Sequence, residues 1–200
     1  ASATPRVNTV RQVPDTIARI IFKHEGLVNR ALSSEISGIF GAPIRHTNDA
    51  EQAIQAAIEI CDTLGKMGEG QDIALEVKIA LHTGTVVVTD ISDETVEYSQ
   101  VEPRFKTVQA LSGRAKPGEI WVDANTYRLT HINFDYLLLL PIEMEGMSRS
   151  LQPYQLRGRR MRRRLHGMHH RLMIPKNPRE TQECTRDPGV GWRPIFIRSR

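Results

Sequence analysis

The fold of this chain is decided by residues 75–91, which have the sequence LEVKIALHTGTVVVTDI. In the first half, apolar side chains alternate with polar ones, and this period of two is typical of a strand with one buried face. Thr83 and Gly84 interrupt the pattern, and the valine-rich half that follows predicts a second strand. Two such runs joined by a glycine-containing turn predict a hairpin at the centre of a sheet.

A tight turn and a further strand are predicted in residues 115–122, AKPGEIWV. Pro117 sets its own φ and Gly118 permits a positive φ, so a turn is expected before a strand at 120–122. Periodicity and capping signals extend the prediction along the chain. They predict strands at 27–30, 36–40, 96–99, 133–140 and 153–156, a helix from Pro14 that Gly26 ends, and helices that begin at Asn48, Phe105 and Asp123.

The composition is that of an ordinary globular protein. Two hundred residues suffice for one domain with a core, or for one domain and a tail. The apolar share of 40% and the charged share of 25% are typical of soluble domains. No apolar run approaches the roughly 18 residues of a membrane helix, so no membrane span is expected. The only cysteines, Cys61 and Cys184, have no metal-ligand spacing, and a reducing cytoplasm is expected.

The positive charge is concentrated near the end of the sequence. Residues 157–200 hold 13 Lys and Arg against 3 Asp and Glu, whereas residues 1–156 hold 14 against 20. Seven arginines lie within residues 157–171, and the prolines beyond them interrupt a polar stretch without periodicity. This pattern favours a basic linker or disordered tail after residue 156.

Seven short pieces of the sequence follow one another in a particular order and spacing. They are IFGAP at 39–43, HTNDAEQA at 46–53, IALHTG at 79–84, VVTDI at 87–91, AKPGEIWV at 115–122, PIEMEGM at 141–147 and PYQL at 153–156. Each piece alone is weakly specific, but their succession is specific. Over residues 17–156 it resembles the class III adenylate/guanylate cyclase catalytic domain.

The resemblance implies an α+β fold: a ferredoxin-like, cyclase-type domain with a mostly antiparallel central sheet and helices packed on it. The family's opening strand has no counterpart upstream of Ile17. The implied division is a flexible leader at 1–13, an N-terminally incomplete cyclase homology domain at 14–156 and the basic tail at 157–200. A sheet without its opening strand exposes an edge. We therefore expect pairing with another chain, poor solubility, or coverage of the edge by residues 1–13.

The resemblance also implies an activity. Members of the family convert a nucleoside triphosphate to the 3′,5′-cyclic monophosphate with loss of pyrophosphate. Two aspartates hold two divalent ions, an asparagine orients the ribose, and an arginine stabilises charge in the transition state. One lysine binds phosphate, a second lysine and an Asp or Thr select the base, and two subunits share each site.

Most positions that would carry this chemistry are altered here. Ser34 stands where the resemblance puts the second metal aspartate, and Glu35, one residue out of register, would point elsewhere. Lys106 and Ala110 stand at the positions of the asparagine and the arginine. The phosphate-binding Lys-Gly-Lys turn is Glu-Gly-Met at 145–147, which would bring a negative charge near a triphosphate.

Two positions keep some chemistry of base recognition. Arg30 stands in place of the lysine and Ser99 keeps a hydroxyl, so these residues are the nucleotide-binding candidates. Loss of a single transition-state donor lowers the rate about 10²–10³-fold. We therefore expect that no catalytic residue is intact and that no cofactor is bound. The chain would then be a pseudoenzyme that acts as a regulatory or dimerisation module through the cyclase-type interface.

The alternative is an enzyme component. Paired with a catalytically complete subunit, and with Mg²⁺ or Mn²⁺, the chain would help to form cyclic nucleotide from ATP or GTP and would lend Arg30 or Ser99 to that subunit. A third hypothesis is a truncated gene product whose tail has no role.

Three further features have a functional and a plainer interpretation. His82, before Thr83-Gly84, could be catalytic, but a structural histidine is favoured. The histidines at 166, 169 and 170, the last two within Met-His-His-Arg at 168–171, could bind metal, but a solvated tail is favoured. The arginine run from Arg157 to Arg164 could bind nucleic acid or anionic lipid through phosphates, but a charged linker is favoured.

Overall fold

The computed structural model describes residues 4–30, 36–42, 44–69, 74–84, 88–91, 96–98, 102–144, 150–160, 194–195 and 197–198. In chain order these residues form α1 (Thr4–Lys23), β1 (Gly26–Arg30), β2 (Ile36–Phe40), α2 (Asp49–Glu69), β3 (Lys78–Leu81), β4 (Val88–Ile91), β5 (Val96–Tyr98), α3 (Glu102–Arg114), β6 (Ile120–Asp123), α4 (Ala124–Thr130), β7 (Phe134–Leu138), β8 (Pro153–Arg159), β9 (Pro194–Ile195) and β10 (Ile197–Arg198).

Five strands form the main sheet in the order β10-β3-β6-β8-β7. β3 and β6 run parallel, with Ile79 opposite Ile120, and the other three neighbouring pairs are antiparallel. A second sheet has the order β1-β2-β9, and β4 pairs with β5. The predicted α+β fold, with a mostly antiparallel sheet and helices packed on it, is confirmed.

The main sheet carries apolar side chains on both faces. Ile79 and Leu81 of β3 join the large core that α1 and α2 cover, whereas Ala80, between them, packs with Val108 and Leu111 of α3. Alternate residues of a strand point to opposite faces, so α3 lies on one face and the α1–α2 pair on the other. Each fully buried Leu or Ile contributes roughly 1.5–3 kcal/mol to folding.

The first helix is longer than predicted. α1 begins at Thr4, ten residues before the expected start, and Pro14 lies in its interior. Proline suits the first turn of a helix, so Pro14 predicted a helix start. In the structure it is Pro5 that lies in the first turn of α1. Val13 packs against the core together with Ile17 and Ile21, so helical periodicity continues through Pro14. Residues 4–13 are therefore helical and not a flexible leader.

The helix ends by a different mechanism from the one predicted. Glu25, not Gly26, has the left-handed conformation, with a φ of 63°. Gly26 is needed for space, because a Cβ at this position would lie 2.7 Å from Cγ2 of Ile21 and 2.8 Å from Cζ of Phe40. The glycine therefore lets β1 start directly against the helix that precedes it.

The predicted central hairpin does not form. β4 pairs with β5 and not with β3, and the main-sheet neighbours of β3 are β6 and β10. The reason lies at Thr83, whose backbone groups bond to side chains of the β6–α4 corner. Its N–H donates to Asp123 and its carbonyl accepts from Asn125. These bonds carry the chain away from β3 where a hairpin would turn back along it.

The end of the chain also differs from the prediction. β8 continues to Arg159, so the expected start of the tail at Arg157 falls inside a strand. β9 and β10 lie within the predicted tail and pair with β2 and β3. Residues 194–197 are an apolar run, and the basic composition around them concealed it. Residues of the predicted tail therefore pair with β2 and β3, and the expected coverage of a sheet edge by residues 1–13 is not seen in the described pairs.

None of the helices in the described part of the chain is long and apolar enough to span a membrane.

Candidate functional site

A buried polar cluster lies where β3 ends and α4 begins. Nδ1 of His82 donates to Oδ2 of Asp123 at 3.0 Å. The other carboxylate oxygen, Oδ1, accepts from the N–H of Thr83 at 3.3 Å, and from the N–H and hydroxyl of Thr126 at 2.9 and 2.6 Å. Thr83 and Thr126 also share a hydrogen bond of 2.8 Å between their hydroxyls. We call these four residues the β3–α4 cluster.

Asp123 sits at the centre of this cluster because it is both the last residue of β6 and the N-cap of α4. Its backbone is extended and its side chain accepts from the N–H three residues on, as the sequence predicted for a capped helix. Burial opposes ionisation of Asp123, but hydrogen bonds from His82 and Thr126 hold its pKa below the usual range. The carboxylate is thus ionised at neutral pH.

The β3–α4 cluster is closed rather than open to a substrate. His82 is 9% exposed, Asp123 4% and Thr126 0%. Gly84 lies against the free side of the imidazole, since a Cβ there would be 2.8 Å from Nε2 of His82. A general base must reach the proton that it removes. This geometry supports the structural interpretation of His82, as a link between β3, β6 and α4.

A small cleft opens beside the β3–α4 cluster, at the N-terminus of α2. The space inside it that a water molecule can occupy is about 50 Å³, whereas sites for small ligands measure roughly 300–1,000 Å³. Its lining residues are Arg45, His46, Thr47, Asp49, Ala50, Glu51, Thr83 and Leu129. The cleft is therefore too small to enclose a nucleotide.

The charged groups of this cleft bind one another. The backbone N–H of His46 donates to Asp49 at 3.0 Å, and the imidazole lies 3.6 Å from the same carboxylate. Burial raises the pKa of Asp49, and the contacts with His46 oppose that shift. Glu51 accepts a 2.6 Å bond from Asn133. Arg45 and His46 could not be predicted as site residues, because isolated loop residues carry no spacing signal.

The predicted catalytic positions lie on α3. Lys106 and Ala110 are four residues apart on this helix, a separation that brings side chains to one face. Lys106 is exposed, and Ala110 is half-buried against the small core of Ala80, Val108 and Leu111. The structure therefore keeps the expected relationship between the two positions, with a cation and an apolar group in them.

The other predicted residues are not brought together in the described part of the chain. Arg30 is the last residue of β1, and its backbone is opposite Ile36 of β2. Ser34, Ser99 and residues 145–147 lie outside the described residues. The histidines at 166, 169 and 170 lie outside them too, and of the arginine run only residues 157, 159 and 160 are described.

The residues available for divalent ions do not fit the family's metal chemistry. Mg²⁺ and Mn²⁺ prefer carboxylate oxygens, whereas Ser34, which the sequence resemblance puts in place of the second metal aspartate, has only a hydroxyl. Among the described residues, no three His, Cys, Asp or Glu side chains are grouped to hold a metal ion. We therefore derive no step through a metal ion for this chain.

One sequence profile matches more than half of the chain. The sequence profile described as the adenylate and guanylate cyclase catalytic domain matches residues 34–158. A search of curated proteins finds no significant match.

Solved structures of cyclases resemble the chain in fold. The adenylyl cyclase CyaB from P. aeruginosa is 20% identical with a TM-score of 0.66, over 82% of this chain and 86% of that one. The guanylyl cyclase Cya2 is 20% identical with a TM-score of 0.68, over 80% and 83%. A dimeric guanylyl cyclase domain of RhoGC, from the aquatic fungus Blastocladiella emersonii, is 18% identical with a TM-score of 0.60, over 80% and 87%.

Proposed function

Because the chain belongs to the adenylate and guanylate cyclase catalytic domain family, we propose that it is a cyclase homology module that forms no cyclic nucleotide by itself. Its role is to bind a second cyclase-type domain and to regulate it. The observation that carries this proposal is the pair of residues on α3, where the family resemblance expects an asparagine and an arginine.

The chemistry of these two side chains supports an inactive module. The Ala110 methyl group is packed in an apolar cluster and offers no donor to a developing negative charge. Lys106 is a cation without an acceptor, so it cannot replace an amide that both donates and accepts. A single lost donor lowers the rate by about 10²–10³. With Lys106 and Ala110 at these positions, and Ser34 in place of a metal-binding aspartate, we expect little catalytic rate enhancement to remain.

Exposed apolar groups support a partner. Leu138, the last residue of the outer strand β7, is 63% exposed, and Leu140, two residues beyond that strand, is 87% exposed. Apolar side chains clustered at a sheet edge are typical of a surface that another protein covers. A related domain, that of RhoGC, has been solved as a dimer. A homodimer or heterodimer is therefore the state that we propose for the working module.

The first experiment measures activity and nucleotide binding. Purified chain is incubated with ATP or GTP and with Mg²⁺ or Mn²⁺, and cyclic nucleotide is quantified against a blank without protein. We expect no product above the blank. Calorimetric titration of the same nucleotides, with and without Mn²⁺, then shows whether the module retains a nucleotide site. Cyclic nucleotide well above the blank would overturn the proposal.

The second experiment separates regulation from shared catalysis. The chain is co-expressed with a catalytically complete cyclase domain, and cyclic nucleotide formation is compared with that of the partner alone. A regulatory module changes this activity whether or not Arg30 is present. If Arg30→Ala abolishes the effect and the control Arg19→Ala does not, the chain is an enzyme component that lends Arg30 to the shared site.

The compartment that we propose is a reducing one. Cys61 is a free thiol in the described part of the chain, half-buried on α2. Burial is the main cause that raises its pKa to about 11, so the thiol stays protonated and unreactive at neutral pH.

A further inference from the structure

The last two strands occupy a slot between the two sheets. Pro194 and Ile195 of β9 lie opposite Ile39 and Gly38 of β2. One residue later, Ile197 and Arg198 of β10 lie opposite Ile79 and Lys78 of β3. Residues 194–195 thus pair with β2 and residues 197–198 pair with β3, and we call these four residues the closing segment.

The slot needs an occupant. With the closing segment in place, Ile39 and Phe40 of β2 are 2% and 1% exposed, and Ile79, Ala80 and Leu81 of β3 are 0% exposed. Removal of the segment would leave backbone N–H and carbonyl groups of both strands without strand partners, at edges that adjoin the core. The closing segment supplies those partners. Without a strand in this position, the two sheets would face each other with unpaired edges.

The attachment of the closing segment is slight. It has two register pairs with β2 and two with β3, whereas β7 and β8 have five between them. Its connection to β8 comprises 33 residues, 161–193. Fully extended, that many residues span at most about 110 Å, at roughly 3.3 Å each. A closing segment can therefore reach the same slot in a neighbouring molecule.

We infer that the slot between β2 and β3 is an exchangeable strand-binding site, and that its second occupant is the closing segment of another copy of this chain. The same residues then make the same pairs in the same register, so the exchange alters no contact at the slot. Reciprocal exchange gives a closed two-fold dimer. The chain's own segment is favoured because it is tethered near the slot, and a rising protein concentration offsets this advantage. This inference concerns the sheet and stands apart from the proposed function.

Disulfide trapping tests both parts of the inference. Directly opposed residues of antiparallel strands have Cα atoms about 4.5–5.5 Å apart, within the range that a disulfide bridges. All variants carry Cys61→Ala and Cys184→Ser, and circular dichroism verifies that they fold. In Lys78→Cys/Arg198→Cys, the full-length chain at low concentration should form a disulfide within one molecule. Failure of this folded variant to close would overturn the register of the closing segment.

Exchange is tested by mixing two single variants at high concentration. One chain carries Lys78→Cys and the other, with a mass tag, carries Arg198→Cys. The control replaces Lys78→Cys with Asp62→Cys, on the exposed side of α2, and reports random collision. We expect the mixed disulfide to exceed the control on the order of tenfold or more, since the swapped strand holds the two thiols together. A yield equal to the control at every concentration would overturn exchange, even if the double variant closes within one chain.

Discussion

Nδ1 of His82 donates a hydrogen bond of 3.0 Å to Oδ2 of Asp123, across a separation of 41 residues. The bond joins the end of β3 to the residue at which β6 passes into α4. Both groups are buried. Among the described residues, Asp123 is the acceptor of the imidazole N–H, so removal of its carboxylate would leave that N–H without a partner. The β3–α4 cluster therefore adds a buried side-chain link to the backbone pairing of β3 with β6.

Replacing Asp123 with alanine should destabilise the domain strongly. The variant loses the N-cap of α4, worth about 1 kcal/mol, and leaves buried donors of His82 and Thr83 without an acceptor, at about 1–3 kcal/mol each. We expect the free energy of unfolding to fall by about 3 kcal/mol in urea titrations. Asp135→Ala is the matched control, because Asp135 is exposed and pairs only with Arg160 among described residues. Equal losses in the two variants would contradict the structural role of the cluster.

Two glycines should respond in opposite directions to alanine. At Gly26 a Cβ would lie 2.7 Å from Ile21 and 2.8 Å from Phe40, both in the core. Overpacking of this kind costs about 1–3 kcal/mol. At Gly65, inside α2, a Cβ meets nothing within 4 Å, and alanine should stabilise the helix by about 0.5–1 kcal/mol. Thermal unfolding of both variants measures the difference, and a Gly26→Ala protein as stable as wild type would show that the close approach is relaxed.

The contact between α1 and α2 should make stability depend on pH. Glu59 accepts bonds of 2.6 Å from Lys23 and 2.8 Å from His24, and these bonds lower its pKa from an ordinary value of 4.5. A lowered folded-state pKa gives stability that is present above about pH 4.5 and is lost as the pH falls through the folded-state value. Glu59→Gln should therefore reduce the loss of stability between pH 6 and pH 3, by roughly 0.5 kcal/mol, since the pair is partly exposed.

The control for this pH effect is Asp62→Asn, on an exposed position of the same helix. Urea titrations at several pH values should show the altered slope for Glu59→Gln only. Asp49 has the opposite effect on stability. Burial raises its pKa in the folded state, so its contribution to the free energy of unfolding grows as the pH falls. Identical pH profiles for wild type and Glu59→Gln would exclude the bridge as a source of stability.

Elements whose limits depend on residues close together in the sequence could be predicted from the sequence. The strand at 36–40 has the predicted limits, because a turn with Gly41 at a φ of 84° follows an apolar run. Asp123 caps α4 as predicted, because capping depends on a residue and the backbone three positions later. The same reasoning misplaced the start of α1, since proline in a helix interior and proline in a first turn have the same sequence signal.

Pairing between distant strands could not be predicted from these signals. β3 and β6 are parallel neighbours, and Asp123 links them to His82 and Thr83, but no sequence period marks contacts across 40 residues. The closing segment was concealed for another reason, because four apolar residues in a strongly basic region do not alter its average composition. At the candidate site, the resemblance placed Lys106 and Ala110 on one helix correctly, and only the structure revealed that Ala110 packs in a core.

The outer strand β7 should promote self-association that a charge removes. Leu138 and Leu140 are 63% and 87% exposed at this edge, and lysine at an edge disfavours pairing with another sheet. We expect Leu138→Lys/Leu140→Lys to weaken association in sedimentation velocity runs over a concentration series. Its free energy of unfolding should change by less than about 1 kcal/mol, because exposed positions contribute little to packing. In contrast, Leu156→Lys, at a site 9% exposed on β8, should unfold the domain.

A strand-swapped dimer does not need the β7 edge, so the mixed disulfide between positions 78 and 198 should still form in the double-lysine background. Unchanged association of the folded double-lysine variant would show that the β7 edge is not the surface through which the chains meet.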